Sequence, residues 1–434
     1  MLNASVSEAQ GKIAFLRLVH PVWMCPFRSF FAAAVLSATG LMLLWLMFLV
    51  LGWHLPGVAG GPFLWHAHEL LLGFVFAAIA GFAMTAVPEF TETPSFASLH
   101  TRRLLVCWLM GRLGFWPSGS WLEGGVVVAA VAHLAFLGYL AALLLPRLWR
   151  DPERRHLSFV RVTAGLLVCV AGLYVDLWNG LPAMRWLHAI LGLLMVLIIV
   201  AMSRISMRIV NASIEERWMA SQPPKGLSRD QERDEMPQYL ARPPRRNLAI
   251  STILLFTALE FLLPGSRLSG WLALAAAAAM FNLLNDWHVG RALLRRWPLM
   301  LYAVYMCMGW GYGLLGIALV LGGSFANAGL HTLTTGALGL SVYAVVCIAG
   351  YTHSGYEKEG RNWILFGAAL IALATLLRVL AYFVGWNPLL GLAGMLWSAA
   401  FALQGWHMLP VFVRARPDGA TGCEGVLMIE QDAD

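Results

Sequence analysis

Long apolar runs separated by short polar connections make up most of the chain. A helix needs roughly 20 apolar residues to cross the hydrocarbon core of a membrane, and twelve runs reach or approach that length. They predict spans at residues 28–52, 63–87, 103–117, 121–146, 159–179, 183–203, 248–264, 267–288, 297–322, 325–351, 362–384 and 387–411. The third run is short and carries Arg112, so whether it crosses fully is left open. The pattern predicts an all-α, polytopic membrane bundle of twelve transmembrane helices.

The basic residues predict which ends face the cytoplasm. With twelve crossings, 26 of the 30 lysines and arginines fall in one set of connections and two, Arg185 and Arg267, fall in the opposite set. Basic connections stay in the cytoplasm, so both termini are predicted to be cytoplasmic. The polar stretch 211–247 then forms a charged linker between a first half, residues 1–210, and a second half, residues 248–434.

Composition supports a membrane protein. Hydrophobic residues make up 59% of the 434 positions and charged residues only 12%, about half of the roughly 25% found in soluble domains. The net charge of +7 is explained by the cytoplasmic connections, which predicts a lipid bilayer and no nucleic acid as partner. The six cysteines are scattered without a C-x-x-C pair, so we expect neither a disulfide framework nor a thiolate metal site.

Four histidines fall at one predicted depth, near the outer ends of three spans. They are His66 and His68 in the second span, His188 in the sixth and His331 in the tenth. Ionisable groups inside a bilayer are costly and are candidates for functional sites. The outer halves of the spans also hold Glu69, Arg112, Asp176, Glu260 and Arg378. This layer predicts a cofactor or substrate site in the outer leaflet.

Haem is the cofactor that the layer favours, because histidine is a common axial ligand of haem iron and the commonest metal ligand. The preferred iron ligands are His66, His68 and His331, with Arg112 and Arg378 as partners for the haem propionates. Residues two apart on a helix point about 200° from each other, so His66 and His68 should have different neighbours.

The remaining polar residues are assigned lesser roles. His188 is a candidate ligand for a second metal or for haem. Glu69 is a candidate for moving a proton or supporting a ligand. His133, at mid-depth in the fourth span, and His288 and His407, near inner ends, are expected to be packed or interfacial histidines.

Three segments resemble the NnrS family of bacterial inner-membrane proteins: HPVWMCPFRSFF (20–31), WHAHELLLGFVFAAIAGFAMTAVPEFTETP (65–94) and LHTLTTGALGL (330–340). The resemblance covers the whole chain. It implies b-type haem (heme b) and copper, a role in nitric oxide stress, and a distant likeness to the haem-copper oxidase core. His66, His68 and Glu69 match the family's H-x-H-E, and His331 matches its histidine in the tenth span. Arg28 and Phe30 match an F-R-x-F-F run, for which a structural role is expected.

The resemblance implies a protein of the bacterial inner membrane that deals with nitric oxide or metal–nitrosyl species. No H-x-x-x-Y motif follows His188, so reduction of oxygen or nitric oxide on the oxidase pattern is not expected. One alternative is a transporter without a stoichiometric cofactor, whose site would lie at mid-membrane on broken helices. The outward position of the layer and the expected, largely uninterrupted spans favour haem. The other alternative is a sensor or subunit whose six-coordinate haem passes electrons to a membrane or periplasmic partner.

Overall fold

The structure is a computed structural model that describes residues 20–119, 124–151, 157–221, 238–357, 360–385 and 387–423. Within this part every long element is a helix: α1 (Pro26–Leu51), α2 (Gly61–Phe90), α3 (Ser98–Phe115), α4 (Gly125–Arg150), α5 (Ser158–Trp178), α6 (Met184–Ser221), α7 (Pro243–Leu262), α8 (Arg267–Leu284), α9 (Arg296–Leu321), α10 (Ala326–Thr352), α11 (Asn362–Val384) and α12 (Pro388–Val413). Each predicted span corresponds to one of these helices. Ten are long and apolar enough to cross a membrane, and α3 and α7 are the two that fall short.

The ends of the helices follow local sequence signals. Helices α1, α7 and α12 begin at Pro26, Pro243 and Pro388, where the fixed φ of proline suits the first turn and its missing N–H is not needed. Helices α1 and α9 are capped at their C-terminal ends by Gly52 and Gly322, with φ of 66° and 71°. This left-handed conformation favours glycine, which explains why the apolar runs stop where they do.

The helices form two compact units that alternate along the chain. The first unit comprises Met1–Leu187, Val345–Gly367 and Trp397–Asp434, and the second comprises His188–Ala344 and Ala368–Leu396. The division into predicted halves, residues 1–210 and 248–434, stays a prediction. The predicted linker 211–247 begins inside α6 and ends inside α7, and its residues 222–237 lie outside the described part of the chain.

Glycines allow neighbouring helices to approach closely in both units. In the first unit, a Cβ atom on Gly114 of α3 would lie 2.7 Å from the backbone nitrogen of Ala129 in α4. In the second, a Cβ atom on Gly316 of α9 would lie 2.8 Å from the carbonyl oxygen of Gly270 in α8. Small residues at such crossings let helix backbones pack in van der Waals contact within a membrane. The short α3 is therefore held firmly against α4.

Two helices change their hydrogen-bonding register immediately after a candidate histidine. Helix α2 is π-helical over Glu69–Val75, directly after His68. Helix α10 is π-helical over Thr332–Leu338, directly after His331. Each helix nevertheless continues through its π-helical segment, over Gly61–Phe90 and Ala326–Thr352, in keeping with the largely uninterrupted spans expected. Segments with i→i+5 hydrogen bonds are rare and are frequently found at functional sites.

A disulfide bond joins the two ends of the described chain. Cys25, which precedes α1, is bonded to Cys423, which follows α12, at a sequence separation of 398. The expectation that the cysteines form no disulfide is wrong for this pair, because a contact over such a separation leaves no spacing pattern. Nearby, the buried Arg28 donates from Nη1 to the carbonyl oxygens of Arg414 at 2.5 Å and Phe412 at 3.4 Å. These contacts support the structural role expected for Arg28.

Candidate functional site

Five buried side chains of the first unit form a closed ring of polar contacts, the polar ring: His68, Glu69, Arg112, His133 and Tyr174. His68 Nδ1 lies 2.9 Å from Glu69 Oε1, and His68 Nε2 lies 2.8 Å from the Tyr174 hydroxyl. That hydroxyl lies 2.7 Å from His133 Nδ1, and His133 Nε2 lies 3.1 Å from Arg112 Nη1. Arg112 Nε, 3.6 Å from Glu69 Oε2, closes the ring. Helices α2, α3, α4 and α5 each contribute to it.

One direction of hydrogen bonding satisfies both histidines of the polar ring. A guanidinium only donates, so Arg112 donates to His133 Nε2. The neutral His133 imidazole then donates from Nδ1 to the Tyr174 hydroxyl, which donates to His68 Nε2. His68 completes the sequence by donating from Nδ1 to Glu69. Both ring nitrogens of each histidine are therefore engaged, and the buried Arg112 charge faces the Glu69 carboxylate.

Backbone geometry makes room for the polar ring. Within the π-helical segment of α2, the carbonyl oxygen of Gly73 accepts a hydrogen bond from Trp108 Nε1 at 2.8 Å, and Arg112 Nη1 donates to the carbonyl oxygen of Trp108 at 2.8 Å. A Cβ atom on Gly73 would lie 3.1 Å from Arg112 Nη2, and one on Gly111 would lie 2.6 Å from His133 Nε2. These two glycines give the arginine and the histidine the space that they occupy.

The contact between Glu69 and Arg112 is an ion pair without a direct hydrogen bond. Glu69 Oε2, Arg112 Nε and Arg112 Nη2 are buried and have no hydrogen-bond partner within the described residues. A separation of 3.6 Å is too long for a direct hydrogen bond. The two charges therefore interact as a buried ion pair.

His331 forms a separate polar cluster in the second unit. Its Nδ1 lies 2.8 Å from the backbone carbonyl oxygen of Asn327, so Nδ1 carries the proton and donates. The Nε2 lone pair accepts a hydrogen bond from Arg378 Nη2 at 3.0 Å. The Tyr382 hydroxyl lies 3.5 Å from Nδ1. A histidine that donates Nδ1–H to a backbone carbonyl has the tautomer and orientation typical of a metal ligand.

The other predicted ligands have different surroundings. The imidazole of His66 stacks on the indole of Trp45, with ring centroids 4.3 Å apart, whereas His68 stacks on Phe115 at 3.6 Å. The two histidines of the H-x-H-E motif thus have different neighbours, as expected. His188 is exposed on α6. Among the described residues, no group of three or more histidine, cysteine, aspartate or glutamate side chains is arranged to hold a metal ion.

The structure therefore brings some predicted residues together and keeps others apart. Glu69 and Arg112 join His68 in the polar ring, and Arg378 joins His331. His331 belongs to the second unit and His66 and His68 to the first, so their pairing around one haem stays a prediction.

Sequence reasoning missed two members of the polar ring, His133 and Tyr174. His133 was expected to be a packed histidine, but it donates and accepts within the ring. It gave no distinguishing signal, because a single histidine within a predicted span is usually a packed residue. Tyr174 gave no such signal, since an isolated tyrosine near a helix end is typical of a membrane interface.

Comparison with known proteins supplies a family. The family model described as NnrS protein matches residues 21–416 of this chain. The matched region includes the whole polar ring and the His331 cluster. No curated protein matches the chain.

Proposed function

The chain belongs to the NnrS family, and on that premise we propose that it binds haem b near the outer ends of its helices and protects the cell against nitric oxide. The observation that carries the proposal is the arrangement of His331. Its Nδ1–H donates a hydrogen bond to the Asn327 carbonyl oxygen, and its Nε2 lone pair accepts a hydrogen bond from Arg378. This imidazole is oriented to ligate iron once that donor moves aside.

The residues around His331 fit a haem group. His331 Nε2 would hold the iron in place of its hydrogen bond from Arg378, and the Arg378 guanidinium would be suited to a carboxylate such as a propionate. His68 fits less well, because both of its ring nitrogens are already hydrogen-bonded within the polar ring. The geometry therefore favours His331 over His68 as an iron ligand. Copper is left out of the proposal, because the described residues offer no cluster of three ligands.

The polar ring has a supporting role in this proposal. Haem iron, when bound with an open coordination position, supplies the site at which nitric oxide binds. Glu69 keeps the Arg112 charge neutralised inside the bundle, and Tyr174 links the two histidines. The ring thereby maintains hydrogen-bonding groups at the depth where a small polar substrate or product would enter. Electrons would come from a membrane or periplasmic partner.

Complementation of a bacterium that lacks the protein tests the function. Cells producing His331→Ala should lose protection against a nitric oxide donor, at a protein level equal to wild type. His407→Ala is the matched control, because His407 stacks on Trp363 at 4.5 Å and belongs to neither polar cluster. Full protection by His331→Ala, or protection by wild-type protein that contains no haem, would contradict the proposal and favour the transporter alternative.

A further inference from the structure

A cavity of about 570 Å³ lies in the second unit, at the ends of the helices opposite to the His331 cluster. Three pieces of chain enclose it: the last turns of α6, the extended segment 238–242, and the connection from α8 to α9. The volume is in the range of small-molecule sites. The basic connections predict that this end faces the cytoplasm.

The extended segment is fixed in place by Tyr239. Its backbone N–H donates to Asn211 Oδ1 at 2.7 Å, and its carbonyl oxygen accepts from Asn211 Nδ2 at 3.2 Å. Its ring packs against Trp287, with centroids 5.0 Å apart, and burial raises its pKa to about 12. Successive side chains of an extended segment point to opposite sides. With Tyr239 buried, Gln238, Leu240 and Arg242 line the cavity.

The cavity is lined by more positive than negative charge. Arg217 comes from α6, Arg242 from the extended segment and Arg291 from the α8–α9 connection. Arg217 and Arg291 form no ion pair with a described residue. The one carboxylate among the lining residues, Asp286, is already engaged by Arg245 Nη1 at 2.6 Å and by the backbone N–H of Arg242 at 3.0 Å.

Polar donors near these arginines complete a site for an oxyanion. The amides of Gln238 and Asn285 and the imidazole of His288 also line the cavity. Phosphate oxygens accept hydrogen bonds from guanidinium groups in bidentate geometry and from amide N–H groups. Arginines brought together from three chain segments form a more specific anion site than basic residues spread along the connections.

The depth of the cavity and its apolar wall favour a lipid. Helix α6 has 38 residues and is about 57 Å long, whereas the hydrocarbon core is about 30 Å thick. Arg217, near the end of α6, therefore lies beyond the hydrocarbon, while the α8–α9 connection directly follows a span. Ile214 and Ala292 add apolar wall, and Leu240 is 61% exposed. A phospholipid would place its phosphate among the arginines and its chains against such apolar groups.

We propose that this cavity is a binding site for a phosphate group, carried by the headgroup of an anionic phospholipid. Basic pockets between helices on the cytoplasmic side are suited to such headgroups. Free inorganic phosphate has the same chemistry and is the other source that the test distinguishes.

Native mass spectrometry of the full chain in an uncharged detergent tests the proposal. Wild type, the double variant Arg217→Gln/Arg291→Gln and the control Arg150→Gln/Arg161→Gln are titrated with phosphatidylglycerol, phosphatidylcholine or inorganic phosphate. The control removes two exposed arginines that do not line the cavity. At about fivefold in affinity per arginine near an anionic lipid, the double variant should bind phosphatidylglycerol about thirtyfold more weakly.

The outcomes separate the two sources of phosphate. Tighter binding of phosphatidylglycerol than of phosphatidylcholine, lost in the double variant and kept in the control, supports a headgroup site. Loss of inorganic phosphate binding alone in the double variant overturns the lipid source and supports free phosphate. Equal binding by wild type and the double variant, or equal weakening in the control, overturns the proposal.

Discussion

Replacing Tyr174 by phenylalanine removes one hydroxyl group from the centre of the polar ring. That hydroxyl contacts His68 Nε2 at 2.8 Å and His133 Nδ1 at 2.7 Å. Both imidazoles are fully buried. The substitution therefore breaks two interhelical hydrogen bonds and leaves two buried nitrogens unsatisfied. It does not change the apolar surface of the aromatic ring at position 174.

The expected magnitude follows from those two bonds. Interhelical hydrogen bonds in membrane proteins contribute about 0.6 kcal/mol each on average, which sets a lower bound of about 1 kcal/mol. Leaving a buried partner unsatisfied costs about 1–3 kcal/mol. We expect Tyr174→Phe to lower the free energy of unfolding by about 2–4 kcal/mol.

Tyr139→Phe is the matched control. Its hydroxyl lies 2.6 Å from His100 Nδ1 in a half-buried contact between two other helices of the chain, α3 and α4. Water can replace that partner, so the loss should stay below about 1 kcal/mol. The assay is reversible unfolding by sodium dodecyl sulfate in mixed micelles, with helix content as the signal. A Tyr174→Phe effect no larger than that of Tyr139→Phe would refute the closed ring.

Four further substitutions test other contacts. Gly111→Ala should lower the free energy of unfolding by at least about 1 kcal/mol, because the new Cβ atom would meet His133. Gly138→Ala, where a Cβ atom would have no atom within 4 Å, should raise the free energy of unfolding by about 0.5–1 kcal/mol. Both variants are measured by the same unfolding assay. Equal changes in the free energy of unfolding would contradict the close packing of Gly111 against His133. Cys25→Ser should create one new maleimide-reactive thiol in non-reduced protein, detected by peptide mass spectrometry, and wild type that already reacts there would argue against the disulfide. The Arg416 guanidinium holds the pKa of Asp418 below its ordinary value, so its contribution to stability is present above about pH 4 and is lost as the pH falls further. The stability difference between wild type and Asp418→Asn in thermal unfolding should therefore shrink below that pH. A difference that grows as the pH falls would contradict the lowered pKa of Asp418.

Much of the fold was predictable from the sequence because membrane spans are governed by length and apolarity alone. Each of the predicted spans coincides with one helix, including the short third one, where Gly114 allows close packing on α4. The π-helical segments were not predictable, since their register depends on tertiary contacts such as the bond from Trp108 to Gly73. The Cys25–Cys423 bond was missed for the same reason, because its cause lies in how the chain ends meet.

The candidate site was predictable only in part. Glu69 and Arg112 were identified because charges within apolar runs are costly and stand out. His133 and Tyr174 carry no such signal, because an isolated histidine or tyrosine in a span is usually a packed or interfacial residue. The surroundings of His66 and His68 also depend on tertiary neighbours. His68 is enclosed by Tyr174 and Phe115, whereas His66 stacks on Trp45.

Haem content measured on purified protein tests the central claim most directly. The reduced-minus-oxidised absorption spectrum and the pyridine haemochrome assay are recorded for wild type and for alanine variants of His66, His68, His331 and His407. The account predicts a b-type spectrum with haem at a fixed ratio to protein, lost in His331→Ala and retained in His407→Ala. Folded wild-type protein without haem, or His331→Ala with undiminished haem and an unchanged spectrum, would contradict it.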